Sequence, residues 1–238
     1  MKNALYVLLA ALTLFFGACS PNYYLPTTQN VPMIKAQGES NILVAGNANQ
    51  VELQGAYGIS DQLALQLNGG LIIPKNEDNG NGGEGKMIEL GLGYYTNISE
   101  SFLFDVYALA GVGSLENHFP TTLPDNPGTT GKITAGISRF GIQPGISYHS
   151  TYFSISASAR LASLNYANVE GNLIFAGEDQ VAYLKDNKSS FLIEPALTLR
   201  AGLERIKLQI QLMKSINASN SDFKQDDTML SIGLNFRL

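Results

Sequence analysis

The last eleven residues, Thr228 to Leu238, change character at every step. Leu230, Ile232, Leu234, Phe236 and Leu238 fall on one face, and Ser231, Gly233, Asn235 and Arg237 on the other. That is the period of a β-strand wet on one side only, and a helix with its period of 3.6 cannot sort residues this way. The same pattern recurs along the chain. Val51, Leu53, Gly55, Tyr57 and Ile59 oppose Glu52, Gln54 and Ala56. Leu63, Leu65, Leu67, Leu71 and Ile73 oppose Ala64, Gln66, Asn68 and Gly70. Ile88, Leu90, Leu92 and Tyr94 oppose Glu89, Gly91, Gly93 and Tyr95, and Phe104, Val106, Ala108 and Ala110 oppose Asp105, Tyr107 and Gly111. Phe153, Ile155, Ala157, Ala159 and Leu161 oppose Ser154, Ser156, Ser158 and Arg160. Strands are also expected at Asn41 to Asn47, Phe191 to Leu203 and Ile206 to Ile216. A long one from Lys132 to Tyr148 shifts parity between Ile137 and Phe140, which predicts a bulge or a portion beyond the membrane.

The connections alternate in length. Short turns at Ser60, Asn97, His149 and Glu204 follow or precede long polar excursions at Pro74–Lys86, Glu116–Gly131, Asn165–Ser190 and Asn217–Asp227. Outer-membrane barrels have this asymmetry, with short periplasmic turns and long outer loops. Only 15% of the residues are charged, against roughly 25% in an average globular chain. The expectation is therefore an all-β, antiparallel up-and-down transmembrane β-barrel over residues 40–238, with ten strands, or eight if the weak first pair lies outside the wall. The long loops are expected to be solvated, with an apolar patch at Leu173 to Ala176 forming a short hairpin or cap. A formal charge of −5 gives no basic footprint, so nucleic acid is not an expected partner.

Residues 1–18 read as a lipoprotein-type signal peptide. Lys2 begins a positive n-region, Leu5 to Phe16 is too short to span a bilayer as a helix, and Phe16-Gly17-Ala18-Cys19 resembles a lipoprotein signal box, departing from it at Phe16, where leucine is usual. Cys19 is the single cysteine, which excludes an intramolecular disulfide. Residues 19–39 carry Pro21, Pro26 and Pro32 among Asn and Thr, and read as an extended tether before the barrel. An even strand number puts both chain ends on the periplasmic side, with a lipid on Cys19 in the inner leaflet.

The terminal run Gly233-Leu234-Asn235-Phe236-Arg237-Leu238 resembles the closing strand that outer-membrane barrels present to their assembly machinery, with Gly233, Phe236 and Leu238 as its signal residues. Further runs are Tyr23 to Pro32, Gln54-Gly55-Ala56-Tyr57, Gly91-Leu92-Gly93-Tyr94-Tyr95, Asn126 to Lys132 and Asp186-Asn187-Lys188-Ser189. Together they resemble a group of small barrel lipoproteins from the Bacteroidota. That resemblance implies outer-membrane lipid and the barrel assembly machinery as partners, and it implies no activity.

The candidate site is the wet face. Glu52, Glu89, Asp105 and Glu194 share it with Arg160, Arg200, Lys207 and Arg237, enough for a lumen charge network of mixed sign. A barrel of this strand number is narrow and is usually filled by side chains, which argues against a general pore. Tyr57, Tyr94, Tyr148, Tyr152 and Phe153 near strand ends suit aromatic girdles. Catalysis is not expected: His118 and His149 are the two histidines and fall at opposite ends, although His118 could pair with Ser114 or Asp125. No metal or cofactor is expected. The reading is a structural or surface-interaction protein acting through its long loops toward an unidentified extracellular partner. Its alternatives are a narrow solute channel and a periplasmic lipocalin-like lipoprotein, whose Leu and Ile faces would point inward around an apolar ligand.

Overall fold

The computed structural model describes residues 21–76, 81–120 and 128–238. The wall is built from β1 (Ser40–Gly46), β2 (Gln50–Gly58), β3 (Leu63–Asn76), β4 (Gly82–Asn97), β5 (Phe102–Phe119), β6 (Gly131–His149) and β7 (Phe153–Gly171). Between β7 and the next wall strand come a small hairpin, β8 (Ile174–Phe175) and β9 (Glu178–Asp179), and the helix α1 (Gln180–Asp186). The wall then continues through β10 (Ser189–Gly202) and β11 (Ile206–Lys214). After β12 (Ile216–Asn217), which extends the pairing with β10, the wall ends in β13 (Thr228–Arg237). Neighbours in sequence pair antiparallel, and β13 pairs with both β11 and β1, Asn41 opposite Arg237 and Gly46 opposite Ile232. The result is a closed ten-stranded antiparallel barrel.

The alternation sets which face is wet. Leu53 and Leu90 are 60% and 62% exposed on the outer surface, whereas their neighbours Gln54 and Glu89 are 1% and 3% exposed inside. A soluble carrier would need the opposite arrangement, so the lipocalin-like alternative is overturned.

Several strands run past the alternating stretch. β4 begins at Gly82 and β5 ends at Phe119, with Gly82 opposite His118, so much of two expected loops is paired wall. The bulge expected in the sixth strand is not in β6, whose Ile133, Ala135, Ile137, Arg139 and Gln143 keep one inward parity. The extra residue lies on β7: Thr134 pairs with Glu170 and Gly136 with Ala167, beside Asn168 at φ 52°. The hydrophobic pattern in β6 changes parity because the interior itself turns apolar toward the long-loop end.

Residues 22–36 produce the largest departure from expectation. Instead of lying outside the wall as a tether, they run through the lumen. At the long-loop end Tyr23 N–H donates to Lys224 O, and Asn117 donates to Asn22 O. At the short-turn end Asn97 donates to Lys35 O, Gln37 donates to Ile59 O, and Gly38 N–H to Gly58 O, just before β1. The prolines do keep this stretch extended and out of the wall, as expected. They do not keep it out of the interior, where Pro26 and Pro32 are buried. Asn22 and Leu238 therefore lie at opposite mouths, so this segment does not approach from the side on which the terminal strand ends. Cys19 and the signal segment lie outside the described residues.

One close approach inside the wall is testable. Gly93 pairs with Tyr107, and a Cβ on Gly93 would stand 2.2 Å from Tyr107 Cδ1. Tyr107 is fully buried, so any movement of its ring must be taken up by other buried groups. Gly93→Ala is expected to cost about 1–3 kcal/mol by overpacking, measured as a lowered unfolding midpoint in detergent. An unchanged midpoint would mean that the ring moves freely.

Candidate functional site

The inward side chains converge on the threaded segment. Glu89 accepts from Arg139 Nε at 3.0 Å and Glu194 from Arg160 Nε at 2.6 Å, both pairs almost completely buried. Each guanidinium also holds the plug. Arg139 Nη2 donates to Thr27 Oγ1 at 3.0 Å and Nη1 to the Tyr24 hydroxyl, while Arg160 Nη2 donates to Thr27 O at 3.1 Å. The Tyr24 hydroxyl in turn donates to Glu194 Oε1 at 2.8 Å. Glu52 accepts from both the amide and the hydroxyl of Thr28. A buried charge is tolerable only when paired and hydrogen-bonded, and here the plug supplies part of that pairing.

Wall amides do the rest. An extended segment away from the ladder leaves its own N–H and C=O groups to be satisfied by side chains. Gln211 accepts from Gln29 N–H at 2.7 Å and donates to Gln29 O at 3.0 Å, so one carboxamide serves both backbone groups of one residue. Gln50 donates to Pro26 O, Gln54 to Thr28 O, Gln143 to Asn30 O and Arg200 to Val31 O. The Gln29 side chain bonds back to Glu194 O and accepts from the Ser158 hydroxyl.

Above the polar layer the long-loop mouth is capped. Asp179 accepts from Val181 and Ala182 N–H groups and starts α1, whose Leu184 is buried among Leu115, Ile133, Leu164, Leu173 and Leu192. Tyr23 packs against Tyr183 and Phe223, and its hydroxyl donates to Gln180. Lys224 sits 4.6 Å from the Tyr183 ring centroid. Burial holds the Tyr183 hydroxyl above its ordinary range in spite of the hydrogen bond from Lys224 N–H, so it stays protonated. The apolar patch at Leu173 to Ala176 lies in this cap.

Of the sequence-derived site residues, the structure brings Glu52, Glu89, Arg160 and Glu194 together around Thr27 and Thr28. Arg200 lies lower, bonded to Gln209 and Val31 O. Asp105 is buried with its Oδ2 lacking a hydrogen-bond partner. Lys207 and Arg237 stand apart at the short-turn mouth, where Arg237 binds Glu39. Gly233, Phe236 and Leu238 lie along the closing seam; Gly233 faces Ala45, and Leu238 N–H donates to Ser40 O. The five expected girdle aromatics all sit at the short-turn end. His118 lies 3.8 Å from Glu116 at the long-loop end, His149 lies at the other mouth, and Asp125 is outside the described residues. Sequence reasoning puts Gln54 on the wet face but misses Arg139, Tyr24, Gln50, Gln143 and Gln211. The parity that Arg139 shares with Gln143 and Ser147 would have found it.

No protein-family model matches the chain, and no curated protein matches it. Among solved structures, the outer membrane protease OmpT from Escherichia coli superimposes with a TM-score of 0.51 at 8% identity, covering 89% of this chain and 99% of that one. The KdgM porin overlaps at a TM-score of 0.36 and 7% identity, over 83% of this chain and 98% of that one. LpxR from Salmonella typhimurium gives 0.36 at 9% identity, over 84% and 99%. The first likeness, with the lipid-type outer face, defines the class: this chain has an outer-membrane-type β-barrel fold. At such identity the likeness extends to the fold alone.

Proposed function

We propose that this protein is an outer-membrane barrel sealed by its own N-terminal segment, with a structural or surface-interaction role carried by the capped long-loop end, which faces the cell exterior. The observation behind this reading is the threaded segment, which runs through the polar lumen and is bonded to the wall along its length. A filled lumen argues against the solute-channel alternative. The reading is non-catalytic: the two histidines cannot share a site, and OmpT's protease activity belongs to that protein.

Anchoring through Cys19, outer-membrane lipid and the barrel assembly machinery as partners, and membership of the Bacteroidota lipoprotein group remain parts of the proposal. The threading revises one of them. Three residues of extended chain span roughly 10 Å, so a lipid on Cys19 would enter the leaflet on the long-loop side rather than the opposite one.

Orientation tests the reading. In intact cells a membrane-impermeant maleimide is expected to label Asp222→Cys in the β12–β13 loop and to spare Glu204→Cys in the β10–β11 turn, with both labelled after lysis. Wild type sets the background, since an acylated Cys19 has no free thiol. Labelling of Glu204→Cys alone would reverse the barrel and end the surface role.

A further inference from the structure

The short-turn mouth concentrates positive charge. Lys35, Arg200, Arg205, Lys207 and Arg237 line one small cavity with His149 and Ser154, and Glu204 is the one carboxylate side chain among its lining residues. Glu39 is nearby but already taken, accepting from Arg237 and from Lys35 N–H. Among the described residues, Lys35, Arg205 and Lys207 have no carboxylate within ion-pair distance. Like charges crowded at a half-dry mouth repel one another, and a counter-anion relieves that repulsion.

Two buried donors lack acceptors here. Lys35 Nζ lies 3.0 Å from His149 Nδ1; an ammonium can only donate, so Nδ1 accepts and the imidazole proton sits on Nε2. That Nε2 is buried with no partner, as is the hydroxyl of Ser154, which is 2% exposed. The cavity floor is Arg200, also 2% exposed and fixed by Gln209 and Val31 O. The cavity measures about 40 Å³. At ~10–15 Å³ per water it has room for about three waters, the size of one tetrahedral oxyanion.

We propose that this mouth is a phosphoryl-binding site, in which Lys35, Arg205 and Lys207 supply charge, His149 Nε2–H and the Ser154 hydroxyl supply directed hydrogen bonds, and Arg200 forms the base. The phosphoryl group belongs either to a phospholipid headgroup of the leaflet around this mouth or to a free phosphate. The site does not depend on which way the barrel faces.

The test is calorimetric titration of the full chain in octyl glucoside with inorganic phosphate at constant ionic strength, with chloride as the reference anion. Saturable phosphate binding is expected, weakened about tenfold in Lys35→Gln and in Lys207→Gln, the loss of one charge-assisted hydrogen bond each. Lys214→Gln, at the opposite end beside Asp227, should leave it unchanged. Dihexanoyl phosphatidic acid competing at lower concentration than phosphate assigns the site to a headgroup; failure to compete assigns it to the free anion. Should Lys35→Gln not fold, Lys207→Gln and a phosphate-dependent shift of the His149 Nε2–H resonance in wild type decide. Binding of neither phosphate nor the lipid above the chloride baseline, or binding indifferent to Lys207→Gln, overturns the proposal.

Discussion

Arg160→Met is expected to destabilise the barrel by about 3–5 kcal/mol. The guanidinium is 1% exposed and its partner Glu194 0%, so removing it leaves a carboxylate in the lumen without its ion pair. The same change takes donors from Thr27 O and Thr27 Oγ1, and thereby frees the middle of the plug. Tyr24 and Ser215 still donate to Glu194 Oε1, which keeps the loss toward the lower part of that range. The double change Arg160→Met with Glu194→Leu removes both charges and should be milder than Arg160→Met alone, because no buried charge is stranded. Thr27 O remains without its donor in either case, at about 1–3 kcal/mol for a buried acceptor. Urea unfolding in detergent, followed by the gel mobility of heated and unheated samples, measures both. A single change costing under about 1 kcal/mol would show that water replaces the guanidinium freely.

Deleting residues 22–36 is expected to turn a silent barrel into a conducting one. The polar lumen of a ten-stranded wall is wide enough here for one extended chain, and the segment runs through the layer of Glu52, Glu89 and Glu194, held there by Arg139 and Arg160. Without the plug, the carboxylates of Glu52, Glu89, Asp105 and Glu194 face the guanidiniums of Arg139, Arg160 and Arg200 across water. With Lys207 at the short-turn mouth added and Arg237 paired to Glu39, the charges balance at four against four, which predicts little selectivity between cations and anions. Single-channel recording in planar bilayers, with wild type held as the closed reference, gives the answer. A deletion variant that keeps its heat-modifiable band and stays silent would assign the seal to the cap around Leu173 and Leu184 instead. A milder probe is Gln211→Leu, which leaves both backbone groups of Gln29 without partners and should raise the frequency of brief openings.

Much of this architecture was legible in the sequence. Alternation such as Leu63, Leu65 and Leu67 against Ala64, Gln66 and Asn68 arises because lipid and lumen impose opposite solvents on successive residues, so number and direction of strands follow from it. The code fails where one of those solvents disappears. At the long-loop end the interior is apolar, so Ile137 inside and Phe140 outside look alike, and Arg139 between them was lost to a misread parity. Strand ends such as Gly82–Gly85 carry no alternation because both faces there are polar or bare. Glu52, Glu89, Arg160 and Glu194 stood out as charges on a wet face. Their meeting point did not, since Pro26, Thr27, Thr28 and Pro32 have the composition of a solvated linker. What distinguishes a plug from a tether is the set of complementary amides elsewhere: Gln50, Gln54, Gln143 and Gln211 all face inward, and their partners are a stretch of backbone that no local pattern announces.

The segment that fills the lumen is covalently continuous with β1, and β1 hydrogen-bonds to β13 to close the ring. The chain thus passes through a loop of itself, a lasso whose knot is the β1–β13 seam. Such threading constrains the order of events. The segment must be seated while the wall is still an open sheet, or else be drawn lengthwise through a finished ring with Tyr23, Tyr24, Pro26 and Pro32 in it. The first route lets the partly curled sheet close around a template already bonded to Gln50, Glu52 and Gln54 on β2, the strand beside β1. It also fixes how the barrel resists force: tension on the segment from the long-loop side is borne first by the Asn22, Tyr23 and Tyr24 contacts and then by those of Thr27, Thr28 and Gln29, in shear, and reaches Ser40 and the seam only after those have given way.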